Sequence, residues 1–269
     1  MVSVSATTSS SRIGAAFAAL RRSGRRALVP YVTAGHPDPS RSLDLLRRLP
    51  ARGADLIEVG VPFSDPMADG PVIQRSSQRA LEHGMTFDRT LELIATAAVE
   101  VPVVLFSYLN PVLAAGDDAL RRAAAAGAHG VLITDLPVGA DPTLEERIGA
   151  GPLDFVRLAA PTTPTDRMAE IGRHGRGFVY LISRRGVTGV HDDVPADLPH
   201  TVARLREATA LPICVGFGIS SPRQAAAVAR LADGVVVGSA IVREADTDVE
   251  RALELVGALR EGVDAASDA

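Results

Sequence analysis

The sequence predicts an α/β protein folded as a single TIM (β/α)8 barrel, on three observations. Eight short runs rich in Val, Ile, Leu or Phe recur along the chain, each nearly continuously apolar, as parallel strands covered on both faces must be. Between them lie amphipathic or Ala-rich stretches that open near Ser, Thr or Asp and close near Gly, the start and stop signals of helices. Eight such units in roughly 250 residues match the length of one barrel. An open doubly wound sheet is the alternative, but it announces itself with a Gly-rich turn after its first strand, and PYVTAGHPD (30–38) is not one.

The elements follow in order. MVSVSATTSSS (1–11) has neither a basic start nor a long apolar segment, which predicts a disordered tail rather than a signal peptide. RIGAAFAALRRSG (12–24) is a helix placed ahead of the first strand, ALVPYVT (27–33). SRSLDLLRRLPARG (40–53) is helical and leads to the second strand, DLIEVG (55–60), and a long Pro-rich loop over 60–71. VPVVLFS (101–107) is the third strand, GDDALRRAAAAG (116–127) a helix, and GVLITD (130–135) and DFVRLA (154–159) the fourth and fifth strands. PTDRMAEIGRHG (164–175) is helical, and FVYLIS (178–183) is the sixth strand, followed by a second long loop over 183–198. LPICVG (211–216), the helix SPRQAAAVARL (221–231) and GVVVGS (234–239) complete the set, with a short helix after strand eight. The barrel domain is expected over 12–261, with a flexible tail at 262–269. Long loops after strands suggest lids or docking surfaces.

Composition narrows the function. The chain has 269 residues, 46% of them hydrophobic, and a net charge of −4 with no long basic block, so a nucleic-acid surface has no support. No apolar run approaches the roughly twenty residues of a membrane helix. One cysteine, Cys214, excludes an internal disulfide, and a reduced, cytoplasmic setting is the expectation. All 28 basic residues are arginine. Without lysine there is no side-chain Schiff base, to substrate or to pyridoxal phosphate, and no Walker-type phosphate loop. No two of the six histidines have metal-ligand spacing, and no Cys/His cluster exists, so no metal site is expected.

In a barrel, chemistry sits at the C-terminal ends of the strands. Glu58 stands inside DLIEVG, on the same side as Leu56. If that side is the lumen, burial raises its pKa and makes it an acid/base; the other placement is outward, paired with an arginine. Asp69 closes the 60–71 loop and, taken alone, reads first as a helix N-cap, Asp65 as a turn residue in Ser-Asp-Pro, and Asp135 as a cavity or cap residue. GFGIS, with Gly216 and Gly218, and GSAIV, with Gly238 and Ser239, end the last two strands, where barrels bind phosphate on backbone N–H groups. Tyr180 shares a strand face with Ile182, as pocket or as core, and Cys214 reads as inert core. Arg184 and Arg185 could steer an anion from loop six, with Gly186 and Gly189 as its hinge.

Taken together, PYVTAGHPD, EVGVPFSDPMADGPVIQRSSQRAL, ITDLP, APTTP, SRRGVTG, GFGISSP and GSAIV, in that order across about residues 12–261, resemble the tryptophan synthase α chain family. The resemblance implies cleavage of indole-3-glycerol phosphate to indole and glyceraldehyde 3-phosphate in tryptophan biosynthesis, by acid–base retro-aldol chemistry. By similarity Glu58 is the acid/base, and Asp69 holds the indole N–H. Gly189, Gly218, Gly238 and Ser239 match phosphate contacts, and Tyr31, Ile73, Tyr108 and Tyr180 match positions around the substrate. Thr188 matches a loop-six residue that meets Asp69 on closure. The family also implies an αββα complex with a β chain that carries the pyridoxal phosphate, docked through loop 60–69; no cofactor is expected in this chain. A standalone indole-releasing lyase and a non-catalytic regulatory subunit are the alternatives. The sequence departs from the family pattern at VHDDVP (190–195) and at Leu109, where an aromatic is common.

Overall fold

The computed structural model describes residues 11–182, 195–216 and 218–266. Eight parallel strands close into a barrel in chain order: β1 (Ala27–Thr33), β2 (Ile57–Gly60), β3 (Val103–Ser107), β4 (Ala128–Ile133), β5 (Asp154–Ala159), β6 (Val179–Ile182), β7 (Ile213–Gly216) and β8 (Gly234–Val237). Around them run α1 (Arg12–Arg22), α2 (Pro39–Arg48), α3 (Pro71–Glu82), α4 (Phe87–Ala97), α5 (Leu109–Ala114) and α6 (Ala119–Ala125). The second half adds α7 (Pro142–Gly149), α8 (Thr165–His174), α9 (Leu198–Ala208), α10 (Pro222–Ala229), α11 (Ser239–Thr247) and α12 (Val249–Ala265).

Alternation along each strand sorts side chains into two cores. Leu28 and Val32 of β1, and Ile57 and Val59 of β2, face outward into the layer shared with the helices. Ala27, Val29, Leu56, Val104, Val156, Tyr180, Cys214 and Val236 fill the lumen. The amphipathic α1 belongs to that inner cluster through Ile13, Phe17 and Leu20, with the Phe17 ring 5.8 Å from that of Phe178. The extra N-terminal helix therefore plugs the barrel and leaves the chemistry to the opposite mouth.

Two boundaries differ from expectation for visible reasons. β4 starts at Ala128, ahead of the apolar run at 130–135, because its pairing with β3 shifts between Val103 and Val104; the extra residue, His129, accepts the Val103 N–H on Nδ1. The tail expected at 262–269 begins inside α12, which runs on to Ala265 because its apolar stripe continues through the fully buried Val263. Buried Arg260 ties that helix to the barrel, donating to Asp55 Oδ2 at 2.8 Å and to the Arg26 carbonyl at 3.1 Å.

Candidate active site

Glu58 faces the lumen. It is fully buried, opposite Tyr31 on one side and Val104 on the other, and neither carboxylate oxygen has a hydrogen-bond partner among the described residues. Desolvation alone pushes its pKa up to about 8. The outward placement beside an arginine is excluded. A buried, unpartnered acid within a strand violates the rule that buried polar groups are satisfied and makes Glu58 a candidate working group.

Asp69 does not cap α3. The N-cap position is Gly70, and Pro71 follows it without an N–H to offer. Its side chain turns to Tyr108, whose hydroxyl donates to Oδ2 at 2.9 Å and accepts the Ala68 N–H at 2.9 Å. Gln74 Nε2 donates to the Asp69 carbonyl at 2.9 Å, which fixes the end of the loop. Burial pushes the Asp69 carboxyl up to about 6, with the Tyr108 hydrogen bond pulling the other way. The two carboxylates thus separate at neutral pH, with Glu58 mainly protonated and Asp69 mainly ionised.

Both acids lie close to the same two phenols. The buried phenols of Tyr31 and Tyr180 are raised well above the ordinary range, first by desolvation and then by the negative charges of both Asp69 and Glu58. The Tyr31 ring meets Phe106 edge-on at 5.1 Å and packs with Ile73 and Val242 at the mouth. Thr33 Oγ1 lies 3.5 Å from the Tyr31 hydroxyl and 2.7 Å from Ser76 Oγ, joining β1 to α3. Phe106 and Val242 do not stand out in the sequence. Phe106 is legible in retrospect, two residues after the inward Val104, whereas Val242 enters only through the placement of α11.

Beside Tyr31, β8 is followed at once by Gly238, the N-cap of α11, with no side chain capping the helix. The first intrahelical bond runs from the Val242 N–H to the Gly238 carbonyl, so the N–H groups of Ser239, Ala240 and Ile241 precede it. A Cβ on Gly238 would sit 3.4 Å from the Tyr31 ring. Gly218 follows β7 with φ +80°, a left-handed conformation that suits glycine. Gly216 is bare for another reason. A Cβ there would lie 2.2 Å from the Tyr180 hydroxyl, so the missing side chain makes room for that ring. By contrast the next helix, α10, is closed by a capping box of Ser221 and Gln224.

The other expected residues fall as follows. Asp65 is exposed, with Ser64 Oγ donating to it at 2.5 Å. Asp135 accepts the Leu109 N–H at 2.7 Å. Leu109 packs against the outer layer rather than lining the mouth. Thr188, Gly189, Arg184, Arg185 and Gly186 lie outside the described residues, as does VHDDVP but for its final proline. Among the described residues, no group of three or more His, Cys, Asp or Glu side chains could hold a metal ion.

A family model described as tryptophan synthase alpha chain matches residues 17–267. The tryptophan synthase alpha chain of Caulobacter sp. (strain K31) is 50% identical over 237 residues, covering 87% of this chain and 86% of its own. That of Laribacter hongkongensis (strain HLHK9) is 46% identical over 262 residues, covering 96% and 99%. Among solved structures, Mycobacterium tuberculosis tryptophan synthase superposes with a TM-score of 0.87 at 38% identity, covering 94% of this chain and 98% of that one. Tryptophan synthase subunit alpha from Legionella pneumophila str. Paris gives 0.85 at 34% identity, covering 95% and 99%. Fold, matched span and relatives converge, and the chain belongs to the tryptophan synthase alpha chain family.

Proposed function

We propose that the chain is a carbon–carbon lyase that cleaves indole-3-glycerol phosphate to indole and glyceraldehyde 3-phosphate. The observation that carries this reading is the pair of carboxyls set around Tyr31 and Tyr180, one held neutral and one ionised, with the uncapped N-terminus of α11 against the same Tyr31. Protonated Glu58 gives its proton to indole C3, leaving the ring cationic. Asp69 accepts the indole N–H and stabilises that charge in a water-poor site. The Glu58 carboxylate then takes the proton of the hydroxyl next to the breaking bond. The C–C electron pair returns to the ring, the carbon bearing that hydroxyl becomes an aldehyde, and Glu58 is again protonated.

The phosphate is assigned to the N–H groups opening α11, with Gly238 and Ser239, helped by the Gly218 turn and by Gly189 of loop six. Tyr31, Ile73, Tyr108 and Tyr180 enclose the indole end, and Thr188 meets Asp69 when loop six closes over it. The working assembly is an αββα complex with a tryptophan synthase β chain, which carries the pyridoxal phosphate and receives the indole. Two exposed apolar side chains support a docking face on this side of the barrel: Met67, 89% exposed on the 60–69 loop, and Leu113, 48% exposed on α5. No helix among the described residues is long and apolar enough to cross a membrane, and a cytoplasmic setting fits the chemistry.

Indole release from indole-3-glycerol phosphate, measured with and without a β chain, tests the reading. Turnover that rises when the β chain is added is expected. Absence of indole under both conditions would overturn it.

A further inference from the structure

We propose that Asp135, at the exit of β4, is a positioning residue for the reaction: it grips the Leu109 N–H and thereby sets the neighbouring Tyr108, whose hydroxyl holds Asp69. The proposal rests on the role read above for Asp69.

Helix α5 has an unusual start. Its N-cap residue is Tyr108, which makes no side-chain cap, because the phenol is committed across the mouth to Asp69 and Ala68. An exposed first-turn N–H is ordinarily met by a local cap or by water. Here the acceptor for Leu109 comes from a different strand, as Asp135 Oδ1 at 2.7 Å, 26 residues along the chain. The carbonyl of Tyr108 is held as well, by Ser107 Oγ at 2.8 Å. Tyr108 is therefore gripped on both sides of its backbone, while its ring packs 5.1 Å from Phe63 of the same loop as Asp69.

The platform under Asp135 is stiff. Thr134 N–H donates to the Ser107 carbonyl at 3.0 Å, extending the β3–β4 ladder up to Asp135. The Leu136 carbonyl accepts from Arg157 Nη1 at 3.4 Å, and Arg157 is ion-paired with Glu145 in a buried layer behind the sheet. Glu145 Oε1 in turn accepts the N–H groups of Gly139 at 2.8 Å and Asp141 at 3.2 Å. An acceptor mounted on a braced loop transmits a fixed position to Tyr108. What matters at 135 is the acceptor oxygen and not the charge, since Asp135 is exposed and grips a single amide.

The test uses the isolated chain and follows indole release against pH. Among the described residues, Tyr108, Tyr31 and Tyr180 are the titratable groups that sense the Asp69 charge, and of these only Tyr108 bonds to it. Asp135→Ala is expected to lower kcat about tenfold, the scale of one hydrogen bond lost, with KM nearly unchanged. It should also move the acid limb of kcat/KM upward, because the phenol no longer draws the Asp69 pKa down. Asp135→Asn should restore both. Tyr108→Phe should shift the limb the same way, and the double variant should be no worse than Tyr108→Phe alone. A lowered melting temperature with an unmoved acid limb, or losses that multiply in the double variant, would overturn the proposal. Asp69→Asn cleaving at the wild-type rate would overturn the Asp69 reading itself, and the proposal with it.

Discussion

Tyr31 of β1 stands opposite Glu58 of β2, and its phenol leans over Gly60, the next inward position on the same strand. A Cβ at Gly60 would lie 2.1 Å from the Tyr31 hydroxyl. The ring cannot swing aside freely, being buried against Phe106 and next to Thr33. Gly60→Ala is therefore expected to destabilise the fold by about 1–3 kcal/mol, as overpacking does, and to lower kcat/KM by forcing Tyr31 into the cavity. Gly257→Ala, on α12 with no neighbour within 4 Å of its Cβ, is the control and should stabilise by about 0.5–1 kcal/mol. Urea unfolding of both variants measures the contrast.

The unpartnered carboxyl of Glu58 makes stability depend on pH in a definite direction. Its pKa is about 8 in the folded chain against an ordinary 4.5. Between those values the unfolded chain releases the proton and the folded chain keeps it. Stability from this group is thus full below about 4.5, falls as pH rises, and levels off above about 8, at up to about 1.4 kcal/mol per pH unit. Glu58→Gln removes the slope and should abolish cleavage while the chain still folds. Unfolding curves at pH 5, 7 and 8.5 should show the variant gaining on the wild type by several kcal/mol in total. A gap that stays flat across that window would refute the burial argument.

How far the sequence reaches depends on whether a property is periodic or spatial. The strands are legible because each is a short apolar run, and the inward face of β2 follows from Leu56 once the lumen is known. Orientation of Glu58 is undecided at that level, since alternation defines two faces without saying which is inside; the α1 plug and closure of the barrel decide it. Asp69 carries the pattern of an N-cap, and only the placement of Tyr108 from β3 shows where its side chain goes. Helix α7 is hard to read because its segment, 142–149, holds no alanine and mixes polarity, and takes its helicity from packing on the barrel rather than from propensity. Asp135 reads as either cap or cavity residue, and it caps a helix other than its own.

Two acids with separated pKa values predict a bell-shaped pH profile. In the proposed mechanism cleavage needs the proton on Glu58, which is lost above about 8, and the charge on Asp69, which is lost below about 6. The profile of kcat/KM for indole release should therefore peak between those limits. Asp69→Asn should cost about 10²–10³ in kcat, the loss typical of one preorganised partner of transition-state charge, and should erase the acid limb while leaving the basic one. An acid limb that persists in Asp69→Asn would assign it to another group.

If the phosphate binds at α11 as proposed, Gly238 separates anion binding from folding. Its φ of −116° is open to any residue, and a Cβ would meet Tyr31 at 3.4 Å, an ordinary contact. Gly238→Ala should therefore fold with nearly unchanged stability. The added methyl would nevertheless stand beside the first-turn N–H groups of α11, where the phosphate must approach the backbone closely, and between that turn and the Tyr31 ring. The expected result is a KM for indole-3-glycerol phosphate raised about tenfold or more, with a smaller change in kcat, because binding remote from the reacting carbon is lost. Inorganic phosphate, a weak competitor of the wild type if it occupies this turn, should lose its effect on the variant. Unaltered KM together with unaltered phosphate competition would move the anion site away from α11, since no other consequence of this methyl would leave both untouched while it occupied the approach to those amides.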